Sequence, residues 1–280
     1  MLSHSVKHIR ILAWMGIFSV ILLAVPVSTL LWASSPPEEG SPAGVLVQSK
    51  MVDGELPSDD PNAAAWNEAP SATFSMSAQA HWEPRASLVT VKELEVRSLN
   101  DGTNLAVLLV YKDPKENPGD AAALEFMVGD QKAHFAHGQK MSQVAGGPVD
   151  IWYWKAGENK GTNMWAKGFK TLRAQENQDV KATGAWSNGE WRVVFSRALE
   201  NGSAEDKQFP VGEFTNIAFA VWDEANRETG AMKAVTSWWW FQAEPPKDPT
   251  VLVYTIGAVI LVGLIELVMV RRLRKEGRTA

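Results

Sequence analysis

The 280-residue chain contains no cysteine, only five histidines and only three tyrosines. Without thiols there can be no disulfide, thiolate-held iron–sulfur cluster, zinc ribbon, cysteine nucleophile or covalent c-type haem. Any metal or cofactor must be held by His, Met, Lys or carboxylates. Nucleotide and hydrolase signatures are missing as well. No GxGxxG follows a strand pattern, and GxxxxGK[ST], GxSxG and HExxH do not occur. Positive charge is also short: 27 basic residues face 32 acidic ones, for a net charge of −5. Seven of the basic residues sit near the chain ends, so residues 34–248 hold 20 basic and 30 acidic side chains, a net charge near −10. That balance argues against nucleic acid as a partner. It suits a basic protein surface.

What the chain does have is tryptophan, 13 residues in all, and two long apolar runs. The first run, Ile11 to Ala33, comes after a basic start with Lys7 and Arg10. It is longer than the core of an ordinary signal peptide and close to a bilayer span. Residues 1–33 therefore read as a signal peptide or an uncleaved signal anchor, and either would export the domain after it. The second run, Pro249 to Val270, ends at RRLRKEGR. Basic residues stay on the cytoplasmic side. Residues 249–270 are thus expected to cross the membrane, with 271–280 as a cytoplasmic tail and the preceding domain facing the periplasm or cell exterior. Glu266, about a turn from that tail, reads as an interfacial acid or as part of a proton or quinone path.

Between these runs the pattern is β. Residues 34–43 (SSPPEEGSPA) form a polar Pro/Gly/Ser linker. Leu46–Val52 alternates loosely and Val89–Leu99 alternates well. The turn Asn100-Asp101-Gly102-Thr103-Asn104 then leads into the apolar strand Leu105–Tyr111. Strand, Asp-Gly turn and strand predict a hairpin. Trp191–Phe195 and Ile217–Trp222 are further strands. Neither a long helical period nor an internal repeat is present between 45 and 245. The expected fold is mainly β, an antiparallel β-sandwich with large loops over residues 44–246. A core of that size needs no staples.

Few residues carry obvious chemistry. His134 and His137 are three apart and could share a metal, but no third ligand lies near them; surface histidines are the alternative. Asp59, Asp60 and Glu224 read as loop acids, and no carboxylate pair is placed for acid–base catalysis. The chain is expected to be non-catalytic. Arg192 and Arg197 could meet anionic groups of a ligand, but surface ion pairs are the expectation for both. Trp152 and Trp154 alternate on a strand and share a face, to wall a pocket or to fill a core. Trp238, Trp239 and Trp240 cannot all face one core, so some could anchor at a membrane interface.

Four segments occur in a characteristic order: DPNAAAW at 60–66, GPVDIWYWKA at 147–156, WRVVFSRAL at 191–199 and AVWDEANRETGAMKAVTSWWW at 220–240. Together, over roughly residues 44–245, they resemble the haem-binding gamma subunits of the ethylbenzene dehydrogenase group. That group includes subunits of dimethylsulfide dehydrogenase, of selenate and chlorate reductases, and of some nitrate or nitrite oxidoreductases. The resemblance implies a β-sandwich holding one non-covalent haem b between a methionine and a lysine. The lysine matches Lys233. The methionine matches Met141, where Ser142 replaces the family's glycine; His137, followed by Gly138, is the alternative.

A lysine ligand must be a neutral amine, which burial in an apolar pocket favours. The stretch after Lys233 (Ala234, Val235 and the three Trp) is apolar enough for that; the alternative is a loop-edge lysine in water. Neutral ligands, with a soft thioether among them, favour ferrous iron and a relatively high potential. Two protein ligands close the iron to substrate, so the implied role is electron transfer. The implied partners are a molybdopterin catalytic subunit, an iron–sulfur subunit and the membrane, with a soluble cytochrome or quinone-linked carrier. Two other readings fit the fold and the Trp count: an anchored carbohydrate-binding module, with exposed Trp faces stacking on sugars, and a structural tether without haem.

Overall fold

The computed structural model describes residues 46–80, 83–84, 86–134, 146–168, 171–246 and 249–276. The expected signal or anchor, the linker, Met141, His137 and the end of the tail lie outside the described residues. The chain divides into two units, the domain 43–246 and the terminal segments.

Among the described residues, fourteen strands build the domain. They are β1 (Leu46–Met51), β2 (Ser71–Ser75), β3 (Ser77–Ala78), β4 (Glu93–Asn100), β5 (Asn104–Lys112), β6 (Ala121–Met127) and β7 (Val149–Lys155), followed by β8 (Lys160–Ala166), β9 (Arg173–Ala174), β10 (Lys181–Ser187), β11 (Glu190–Ala198), β12 (Phe214–Trp222), β13 (Ala234–Val235) and β14 (Trp239–Ala243). The main strand order is β10-β11-β5-β4-β1-β14-β12-β6-β7-β8-β9. The two halves of this sheet face each other. Trp154 of β7 meets Trp191 of β11 with ring centres 4.9 Å apart, and Phe74 of β2 meets Phe219 of β12 at 5.0 Å.

The mainly β expectation holds, with one addition. β1 joins the halves by pairing in parallel with both β14 and β4, whereas every other pairing among the described strands is antiparallel. The expected hairpin forms, with Asn100 opposite Leu105. Between β1 and β14 the described residues contain no α-helix, only 3₁₀ turns at Ala64–Glu68 and Glu224–Asn226.

β5 shows why LAVLLVY carries no charged residue. It runs between β4 and β11 and is buried on both faces. Leu105, Val107, Leu109 and Tyr111 enter the main core. Ala106, Leu108 and Val110 enter a smaller cluster with Leu56, Trp66 and Ala69. A strand covered on both sides has no reason to alternate. Trp66 fills that second cluster and donates its Nε1–H to the Asp60 carbonyl at 3.0 Å, so the DPNAAAW segment is a loop plug. At about 1.5–3 kcal/mol per buried large side chain, these two layers supply the main driving force for folding.

Apart from the domain, α1 (Pro249–Glu276) is a 28-residue helix. Its span Val253–Arg274 has a mean hydropathy of 2.4. Val253, Tyr254, Leu261 and Leu264 are exposed, so the helix is apolar on several sides, as membrane spans are. At 1.5 Å per residue, 22 residues reach about 33 Å, enough for a bilayer core of about 30 Å.

Candidate functional site

β6 and β7 are each read on two faces. Ala122, Leu124 and Phe126 point into the core with Trp152 and Trp154. The alternate residues Ala121, Ala123, Glu125, Ile151, Tyr153 and Lys155 line a cavity of ≈ 630 Å³ on the opposite face. That volume lies within the range of about 300–1,000 Å³ usual for ligand and cofactor sites. The alanines at 121 and 123 leave room where larger residues would fill it. Ala220 and Trp222 of β12 and Met164 of β8 complete the walls, with Lys233 and Val235 at one side.

Lys233 is held by its backbone at the entry to β13. Gln79 N–H donates to its carbonyl at 2.9 Å, and Val235 pairs with Ala220 in the next strand. The loop before it is equally fixed. The Asp223 carboxylate caps the 3₁₀ turn by accepting from Asn226 N–H at 3.3 Å, and Trp222 Nε1–H donates to the Gly230 carbonyl at 3.0 Å. The Lys233 amine lies 4.7 Å from the centre of the Trp222 ring. Burial holds this amine below the ordinary lysine range, while the Glu125 carboxylate works in the opposite direction. Glu125 is in turn pushed up by burial, with Lys233 opposing.

The donor set suits a large, flat, partly apolar group. The walls are mostly apolar, the lysine is biased toward its neutral form, and Met164 offers a thioether. Gln79 Oε1, on a cavity-lining residue, is buried without a hydrogen-bond partner. These residues fit a haem held from Lys233.

Other anticipated residues lie elsewhere. Trp152 and Trp154 do share a face, but it is the core face; both are fully buried and neither lines the cavity. Met141 and His137 fall outside the described residues. His134 is exposed. Trp239 packs beside Phe74 at 5.7 Å and Trp240 beside Phe214 at 6.2 Å. Asp59 and Asp60 are exposed loop acids as expected; Glu224, also exposed, opens the second 3₁₀ turn and accepts from Gly119 N–H at 2.6 Å.

Arg197 departs from the expectation of a surface ion pair. Its side chain is 0% exposed and pairs with Asp150 at 3.1 Å and Asp206 at 3.3 Å. It stacks 5.0 Å from the Trp152 ring and donates to the Lys207 carbonyl. Alternation along β11 turns Arg197 to the same side as Val193 and Phe195 of the core, and the two aspartates make that burial tolerable. Arg192 stays nearer the surface, with Glu190 at 3.8 Å and its Nε–H donating to the Pro61 carbonyl.

The lining residues Glu125, Tyr153, Trp222 and Met164 were not singled out from sequence. The alternation that put Trp152 and Trp154 on one face also put Ile151, Tyr153 and Lys155 on the other, which was the available signal.

Fold and site together describe a β-sandwich domain with a cofactor-sized cavity, in a chain that also carries a membrane-length helix. Residues 164–234, from Met164 through Trp222 and Lys233, match the family described as Ethylbenzene dehydrogenase. A Haloferax mediterranei protein assigned as a respiratory nitrate reductase heme subunit is 26% identical over 272 residues, covering 92% of this chain and 96% of its own. The chlorate reductase subunit gamma of Ideonella dechloratans is 29% identical, over 64% of this chain and 77% of its own. The dimethylsulfide dehydrogenase subunit gamma of Rhodovulum sulfidophilum is 24% identical, over 67% and 76%. These matches bear out the resemblance to the ethylbenzene dehydrogenase group. Among solved structures, a carbohydrate-binding module of Caldicellulosiruptor kristjanssonii covers 72% of this chain and 97% of its own at 9% identity, with a TM-score of 0.43. A likeness that weak carries no argument about sugar binding.

Proposed function

We propose that this chain is the membrane-anchored haem b subunit of a molybdenum-containing oxidoreductase complex. It relays electrons between an iron–sulfur subunit and a quinone-linked or soluble carrier, and it does not itself catalyse the substrate reaction. One observation carries the reading: Lys233, inside the segment that matches the family, presents a burial-disfavoured ammonium to a cofactor-sized cavity. The heme and gamma subunits among the relatives support it.

Haem would supply a one-electron couple at its iron. The chain's own residues set the conditions. Lys233 provides a neutral amine once its proton is lost, and burial lowers the cost of that loss. Met141 is the proposed second ligand, with His137 as the alternative. Met164 is a further thioether already at the cavity wall. Ile151, Val235 and the alanines exclude water. Two protein donors leave no open position for oxygen, which suits electron transfer.

The apolar span Val253–Arg274 anchors the domain, and the basic residues after it place the tail in the cytoplasm. The domain then faces the periplasm or cell exterior, where an acidic surface could meet a basic carrier.

The test is an optical and EPR spectrum of the full chain in detergent, expressed with haem available, for wild type and for Lys233→Ala, Met141→Ala, Met164→Ala and His137→Ala. A stoichiometric six-coordinate low-spin haem, lost in Lys233→Ala and in one other variant, is the expected result. A folded wild-type chain that takes up no haem would overturn the reading.

A further inference from the structure

Three carboxylates distant in sequence meet at the end of the domain where β5 leaves, β6 begins and β12 ends. Asp113, Asp120 and Asp223 each place an oxygen within 4.8 Å of the others, and all three are buried. Three buried negative charges need compensation, either by basic partners, by protons or by a cation. Among the described residues, no Lys, Arg or His forms an ion pair with any of them. A fourth buried acid, Glu228, adds to the field; it receives Thr90 N–H, Asn226 Nδ2–H and Asp223 N–H.

Hydrogen bonds from the protein satisfy part of the cluster. Asp113 Oδ1 accepts from Lys115 N–H at 3.1 Å. Asp120 Oδ2 accepts from Asn117 N–H at 2.7 Å and from Trp191 Nε1–H at 3.1 Å, and its Oδ1 accepts from Glu224 N–H at 3.0 Å. Other atoms are left over. Asp113 Oδ2 and Asn117 Oδ1 are buried with no hydrogen-bond partner. So is the hydroxyl of Tyr111, a residue only 2% exposed. That hydroxyl lies within electrostatic reach of all three carboxylates. A buried phenol with an idle oxygen beside three acids is an independent sign that something is missing between them.

The structure assigns a calcium site to Asp113, Asp120 and Asp223, with the Tyr111 hydroxyl oxygen as a neighbouring donor. Every donor is oxygen, which selects a hard cation. Calcium takes 6–8 oxygens in flexible geometry, whereas magnesium keeps several waters and strict octahedral order. A buried, protein-made oxygen cluster therefore favours calcium. The site would tie the 113–120 loop to the end of β12. It would also back the cavity wall, because Asp120 precedes Ala121 and Asp223 follows Trp222, both of which line it. None of this depends on haem being bound.

The test uses the full chain in detergent, stripped with a chelator and then supplied with calcium, magnesium or terbium. One equivalent of calcium per chain is expected by elemental analysis after exhaustive dialysis. At calcium roughly 100-fold above its dissociation constant, the melting temperature should rise by roughly 5 °C or more. Terbium should show emission sensitised by the nearby Trp191, saturating at one equivalent and displaced by calcium. Asp113→Asn with Asp223→Asn should abolish all three effects. Calcium retained equally by that double variant would place the ion elsewhere and overturn the assignment, as would stabilisation by magnesium alone. Should the double variant fail to fold, the wild-type measurements decide: neither retained calcium nor sensitised terbium emission would sink the site.

Discussion

The Lys233 amine sits 4.7 Å above the centre of the Trp222 ring, inside a cavity whose floor is formed by the small residues of β6. A lysine so placed has two ways to be stable. As a cation it gains from the ring face and from Glu125; as a neutral amine it avoids the cost of burial. A metal-bound amine uses the second. Lys233→Arg separates them, because guanidinium cannot lose its proton in a protein. Arginine should keep the cation–ring contact yet fail as a ligand. Loss of a ligand should cost at least the roughly 10–100-fold that loss of an outer partner costs. A haem titration of the two purified chains measures this; equal affinity and equal spectra would count against Lys233 as a ligand.

Arg197 is the only cation paired with the buried Asp150 and Asp206 among the described residues. Arg197→Met removes the charge and leaves both acids in the core. The expected loss is about 3–5 kcal/mol, read as a lower urea midpoint. Arg197→Lys should recover little of it, since one ammonium cannot reproduce the contacts to Asp150, Asp206 and the Lys207 carbonyl together.

Acid stability should depend on Asp206. Burial acts to raise its carboxyl, but hydrogen bonds from Asn177, Asn163 and Asn201 and the charge of Arg197 outweigh it and hold the group below its ordinary value. A depressed carboxyl contributes stability above its unfolded value, near about 3.9. That contribution is lost as pH falls from there through the lower folded value. Urea midpoints measured from about pH 5 down to about pH 3, a range that brackets the ordinary carboxylate value, should fall more steeply for wild type than for Asp206→Asn. Parallel curves would contradict the expectation.

Gly184 lets β10 approach β7. A Cβ there would come within 2.8 Å of Cε2 and Cη2 of Trp154 and closer still to Cζ2. Gly184→Ala should therefore cost about 1–3 kcal/mol through overpacking. In a Trp154→Phe background most of that cost should vanish, because the clashing atoms are gone. A double-mutant cycle of unfolding free energies reads the coupling directly.

The cysteine-free chain also makes sidedness measurable. Ala225→Cys, on an exposed loop of the domain, should react with an impermeant maleimide in sealed right-side-out membrane vesicles. Lys275→Cys, at the basic end of α1, should react only after the vesicles are opened. The reverse pattern would invert the proposed topology.

The local features were legible because they depend on neighbours in the chain. The Asp-Gly hairpin, the alternating strands, the apolar run of α1 and the shared face of Trp152 and Trp154 come from turn chemistry and from periods of two and 3.6 residues. β6 was missed because AAALEFM is rich in alanine, a poor strand former; its place between β12 and β7 comes from partners far along the chain. Lys233 and the order of the four segments were likewise readable as a pattern. Which side of β7 faces the cavity was not, because alternation says that two faces differ and not which is covered. Packing against β11 settled it: Trp154 met Trp191, and Tyr153 was left to the cavity. The burial of Arg197 and the meeting of Asp113, Asp120 and Asp223 have the same origin. Charge cost and metal-like geometry arise from long-range pairing, and no window of sequence contains both sides of a contact made across the sheet.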